Sequence, residues 1–116
     1  MKVLITTLLF TASLLSANTA MSAMSVADYN ESKDFKQKWS VTGTYLNGVG
    51  VGATLAATIM LQKSSSTLFC QPQEIVLGRN SYTKLIDAFI AKNNIPDETP
   101  VETVLIMALI TAFPCN

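Results

Sequence analysis

There is no histidine in this chain of 116 residues. That absence removes the commonest general base and the commonest metal ligand. Only two cysteines are present, Cys70 and Cys115, far apart rather than clustered, and two thiols do not make a zinc site. No Gly-x-Ser-x-Gly elbow occurs, so the turn that exposes a hydrolase nucleophile is missing. The acids are scattered, and Asp97 with Glu98 is the one adjacent pair. On a short polar loop such a pair is ordinarily solvated. Charge is sparse at 14%, eight basic against eight acidic side chains. Without a basic stripe or a polybasic cluster, nucleic acid is not an expected partner. These absences predict a protein that works by binding: not an enzyme, with neither metal nor cofactor.

What is present begins with a leader. Lys2 supplies a short positive start, Val3 to Leu15 an apolar run, and Ser16 to Ser25 a small, polar stretch rich in Ala and Ser. This is the three-part layout of a secretory signal peptide, assigned to residues 1–25 with cleavage after Ser22 or Ser25. The apolar run is short of the ~20 residues a membrane span needs. The remainder, 26–116, is expected to be one domain. Its charge is nearly neutral, because removing Lys2 leaves seven basic side chains against eight acidic ones. Export places Cys70 and Cys115 in an oxidising compartment, where a lone pair in a small domain is a staple. Their disulfide closes a loop of 45 residues (115 − 70), worth ~4 kcal/mol in the chain-entropy model.

The domain is expected to be all-α, a small helical domain of about four helices stapled by that disulfide. Val26 to Lys38 is the most charged stretch, expected to be an arm leading into a first helix, with Asp34 and Lys38 at pair spacing. Val41 to Leu61 carries no charge and four glycines, at 43, 48, 50 and 52. Its threonines and glycines argue for a largely buried soluble helix rather than a membrane span. Tyr45, Val49, Ala53, Ala56, Ala57 and Met60 form its expected inner stripe. Gly48 and Gly52 are expected to let another helix approach closely. The string Gly48-Val49-Gly50-Val51-Gly52 lacks the Lys-Ser/Thr of a phosphate loop. Ile75 to Leu77 is expected to be briefly extended.

Ser81 is positioned to cap the next helix, whose inner face is Leu85, Ile86, Phe89 and Ile90, and which ends at Asn93-Asn94. Thr99, Pro100 and Glu102 predict a capping box opening the last helix. That helix is apolar nearly all round. Val101, Val104, Leu105, Ala108, Leu109 and Ala112 make one face, and Ile106, Met107 and Ile110 another. A helix apolar on every side is buried on every side, either as the centre of this domain or against a second copy in a homodimer.

Four pieces of the chain resemble the immunity proteins of type VI secretion amidase effectors, the Tai-like family. Tyr45-Leu46-Asn47-Gly48-Val49 is similar to that family's opening of a long helix. Phe69-Cys70-Gln71-Pro72 is similar to its aromatic-Cys-x-Pro. Pro100 with Val101 and Val104 resembles the start of its last helix. Ala108-Leu109 and Ala112-Phe113-Pro114-Cys115 resemble its end. The entry Gly78-Arg79-Asn80-Ser81 departs from the family pattern. The resemblance implies a periplasmic helical protein, often dimeric, that binds a peptidoglycan amidase and blocks its groove. Loops on rigid scaffolds carry such contacts. The expected binding residues are Asn93, Asn94, Asp97 and Glu98, with the loop Lys63 to Thr67 as second choice. One rival is a small periplasmic stress chaperone with a single disulfide, although eight acids and no histidine offer little for a sharp acid switch. The other is a membrane protein anchored by Val41 to Leu61.

Overall fold

A computed structural model describes residues 23–116. Most of the expected leader lies outside the described residues. The fold is all-α, as expected: α1 (Val26–Ser32), α2 (Lys36–Ser64), α3 (Arg79–Lys92) and α4 (Val101–Ala112). Pro72, Pro96, Pro100 and Pro114 all fall between or beyond the helices, as a residue without an amide hydrogen must.

The charged arm holds a true helix. Ser25 caps α1 reciprocally with Asp28: the Asp28 N–H donates to Ser25 Oγ at 3.1 Å, and the Ser25 N–H to Asp28 Oδ2 at 3.1 Å. The predicted Thr99–Glu102 capping box does not form, and Pro100 caps α4 without a side-chain hydrogen bond. Its task passes to the N-terminal segment. The Val101 N–H donates to the Met24 carbonyl at 2.7 Å, and the Val26 N–H to the Thr99 carbonyl at 2.9 Å. Ser25 and Pro100 thereby form an isolated antiparallel bridge. Met24 and Ser25 are therefore part of the domain, two residues before the expected boundary. Of the two expected cleavage bonds, only the one after Ser22 leaves this cap on the chain.

The long helix runs further than expected, over 29 residues. It is also less buried than expected. Thr42, Gly43, Leu46, Gly50 and Ala57 face inward, and Tyr45, Val49 and Ala53 pack against the core in part. Ala56 and Met60, placed in the inner stripe by spacing, are exposed. The close-packing glycines are also different ones. A Cβ on Gly50 would collide with the buried Tyr82 ring, and one on Gly43 with the Arg79 side chain, whereas Gly48 and Gly52 face open space. Spacing of four residues places glycines on a common face but does not say which face turns inward. Leu46 and Ala57 decide that, and at 100° per residue Gly48 and Gly52 lie on the far side.

Gly78, not Ser81, caps α3, with the Tyr82 N–H donating to its carbonyl at 2.9 Å. Ile86 is buried, Leu85, Phe89 and Ile90 pack in part, and Tyr82 and Thr83 join the buried face. In α4 the expected face is buried from Val101 to Leu109, but Ala112 is exposed. Ile106 and Ile110 are half-buried and Met107 exposed. The last helix is thus mostly covered by its own chain. Residues 75–77, expected to be briefly extended, take no regular secondary structure. Cys70 and Cys115 are disulfide-bonded, with Cα atoms 5.0 Å apart. Beside them the Cys70 N–H donates to the Phe113 carbonyl at 2.8 Å, and Phe69 is buried.

Gly50→Ala is expected to destabilise the domain. Overpacking against the Tyr82 ring costs ~1–3 kcal/mol and exceeds the ~1 kcal/mol of helix propensity regained. Urea unfolding should show a net loss of up to ~2 kcal/mol. Unchanged or raised stability would contradict the packing described.

Candidate partner-binding surface

The loop after α3 begins with Asn93, which is exposed and also ends the helix. Its side-chain Nδ2 donates to the Phe89 carbonyl at 2.8 Å. The chain then turns, with the Thr99 N–H donating to the Pro96 carbonyl at 3.0 Å, and the Ala27 N–H of α1 donates to the Asp97 carbonyl at 3.0 Å. Ile95 packs against the core. The backbone of this loop is therefore held by α1, by the core and by its own turn, while the side chains of Asn94, Asp97 and Glu98 are exposed. All four expected binding residues are exposed, and of them Asn93 also spends its side-chain amide on the helix end. Asp28 stands one residue beyond Ala27. Its carboxyl is held below the ordinary carboxylate range, first by the Ser25 hydroxyl and then by the Ser25 N–H.

The second expected loop, Lys63 to Thr67, closes α2. Ser65 adopts left-handed backbone there (φ 56°), and Ser64 Oγ donates to the Met60 carbonyl at 2.8 Å.

Two tyrosine–carboxylate links tie the helices together. Tyr29 Oη donates to Asp87 Oδ1 at 2.8 Å, and Lys33 Nζ donates to the same oxygen at 2.6 Å. The lysine also sits over the Tyr29 ring, 4.4 Å from its centroid. Tyr45 Oη donates to Glu102 Oε2 at 3.0 Å. Burial, reinforced by the facing carboxylates, pushes both phenols up, so they remain donors. Glu102 is thus a cross-link between α2 and α4 rather than a cap. Lys38 pairs with Glu31 at 3.0 Å instead of with Asp34, because Asp34 lies in the turn between α1 and α2. No sequence pattern announced these links.

A second kind of surface lies on α2. Val51, Leu55 and Ile59 are each about half exposed, and Val76, in the connector between α2 and α3 (residues 65–78), is 89% exposed. By length and composition α2 is apolar enough to cross a membrane, and 17% of its most apolar window is buried. A cleft of about 550 Å³ opens between α1 and the start of α2, lined by Met24, Asp28, Glu31, Lys38 and Val41. Among the described residues no group of three or more cysteines, aspartates or glutamates is placed to hold a metal ion. No family model, curated protein or solved structure matched this chain.

Asp28 contributes stability above its unfolded-state pKa, because its folded pKa is depressed. That contribution is lost as pH falls through the folded value. Asp28→Asn should therefore be less stable than the parent at pH 7, with the difference closing on acidification below the ordinary carboxylate range. A thermal-melting difference that does not change with pH would contradict the capping role.

Proposed function

We propose that this protein is a periplasmic immunity protein that inhibits a peptidoglycan amidase delivered by type VI secretion. The observation that carries the reading is the clamped loop 94–98. Three polar side chains, Asn94, Asp97 and Glu98, stand exposed on backbone held by α1. A loop ordered before binding does not lose that freedom on association. Inserted into an enzyme groove, it excludes substrate by occupancy, and the inhibitor performs no chemistry. The carboxylates of Asp97 and Glu98 accept hydrogen bonds from donors lining such a groove. The disulfide supports an oxidising compartment. The pieces that carry the family resemblance fall on structural positions: Leu46 in the core, Cys70 and Cys115 in the disulfide, and Pro100 at the start of α4.

A second reading, a small periplasmic stress chaperone, is favoured by one specific observation. Val51, Leu55, Ile59 and Val76 are exposed, with no cover among the described residues, and apolar patches of this kind mark interaction sites.

The test is capture with the oxidised protein as bait from periplasmic extract and from lysate containing the products of neighbouring genes. Recovery of a peptidoglycan hydrolase whose activity falls on binding is the expected result. The double variant Asp97→Ala/Glu98→Ala should then weaken binding by roughly 30-fold, the equivalent of ~2 kcal/mol. Capture of unfolded clients at low pH, with no hydrolase recovered, would replace the inhibitor with the chaperone.

A further inference from the structure

The last turns of α2 run past the core. From Leu55 to Ser64, Ala57 is buried and every other residue is exposed. With the connector they make one apolar end of the molecule. Leu55, Ile59, Leu61 and Leu68 are each more than half exposed. Val51 and Leu55 share a cleft of about 270 Å³ with Ile75 and Val76. Leu61 lines a second cleft, of about 290 Å³, with Phe69 and Pro72. Thr54 and Gln71 line both, so the two clefts adjoin.

We propose that this end rests on a phospholipid surface with zwitterionic headgroups, its aliphatic side chains entering the edge of the hydrocarbon. Three observations point to lipid. The first is the kind of side chain. Between Val51 and Leu77 the one aromatic residue is Phe69, which is buried, and arginine does not occur. Protein contacts are anchored chiefly by Trp, Tyr and Arg, whereas hydrocarbon needs no such anchor. The second is the state of the polar groups. Thr54 Oγ1 donates to the Gly50 carbonyl at 3.1 Å, Thr58 Oγ1 to the Thr54 carbonyl at 2.9 Å and Ser64 Oγ to the Met60 carbonyl at 2.8 Å. Gln71 Nε2 donates to the Ile75 carbonyl at 2.8 Å. These donors keep their partners when water is displaced, so apolar contact leaves none of them orphaned. The third is the charge. From Val41 to Leu77 the charged residues are Lys63 and Glu74. One cation and one anion match the phosphate and the ammonium of a zwitterionic headgroup. The long lysine stem lets its ammonium reach the phosphates while neighbouring side chains sit deeper.

The helix lies on the surface and does not cross it, because Thr42, Leu46 and Gly50 of its first half are buried in the domain. The same fold sets the orientation. Tyr45 holds the start of α4 through Glu102, and the Cys70 N–H meets the Phe113 carbonyl at its end. The length of α4, about 18 Å for its 12 residues, therefore separates the loop 94–98 from the apolar end. A docked molecule holds Asn94, Asp97 and Glu98 away from the lipid. The inference does not depend on the amidase reading.

Flotation of the oxidised full chain with phosphatidylcholine vesicles tests the proposal. The parent should float with the vesicles. Leu55→Asn/Ile59→Asn should weaken the partition by on the order of 100-fold, with the helical circular dichroism unchanged because both side chains are exposed. Residues 1–22 are common to both chains, so any binding by them cancels from the comparison. Two tryptophan variants read the orientation. Above the parent's Trp39 signal, the emission of Val76→Trp should be quenched by brominated acyl chains and that of Asn94→Trp should not. A parent that stays in solution would overturn the proposal. So would a double variant that floats as well as the parent, or quenching at position 94 and not at 76. Self-association or capture of unfolded clients through these residues, in place of vesicle binding, would overturn it equally.

Discussion

The Cys70–Cys115 bond is the constraint on which the rest of the structure depends. It encloses α3 and α4 in one covalent loop 45 residues round. Small domains bury a limited fraction of their surface, and net stabilities are only ~5–15 kcal/mol. A cross-link worth ~4 kcal/mol is then a large share of the whole. Its position matters as much as its strength. It pins the connector beside the end of α4, where Phe69 is buried and the Cys70 N–H meets the Phe113 carbonyl. With the α3–α4 pair closed, Ile86, Leu105 and Leu109 form part of a core to which Leu46 and Ala57 of α2 belong.

The helices outside that loop are joined by polar contacts as well as by packing. The N-terminal segment pairs its main chain with the start of α4, so an orphan helix donor and a loop carbonyl are satisfied together. Tyr29 links α1 to α3 through Asp87, and Tyr45 links α2 to α4 through Glu102. Each tyrosine lays its ring into the apolar interior and extends its hydroxyl to a carboxylate near the surface. The loop carrying Asp97 and Glu98 is rigid because it is one side of the clamp that positions α1. Structural order and the presentation of polar side chains therefore have the same origin.

The helical class, the disulfide and the buried face of α4 were legible because each rests on local chemistry: periodicity, proline placement and a lone cysteine pair. The errors came from contacts distant in sequence. Thr99 and Glu102 match a capping box, yet Met24 supplies the first acceptor and Tyr45 occupies the glutamate. Gly48 and Gly52 match a close-packing pair, yet the Tyr82 ring lies against Gly50. The length of α2 was underestimated because its charged first turn, from Lys36, did not belong to the uncharged run. Its exposure was missed because apolar composition reports a tendency to be covered, without saying that the cover is in the same chain. At the candidate loop, the exposed polar residues were legible and the clamp from α1 was not. Asn93 fell to the helix end because an amide at that position meets the last carbonyls.

The central claim is that a single cross-link holds a small helical domain in the form that presents its surfaces. Hydrogen exchange on the oxidised and reduced chains, alongside their urea unfolding, tests it most directly. The account predicts that reduction costs ~4 kcal/mol and removes protection first from residues around Phe69 and Phe113 and then from α4. Equal stability and equal protection in the two forms would contradict it.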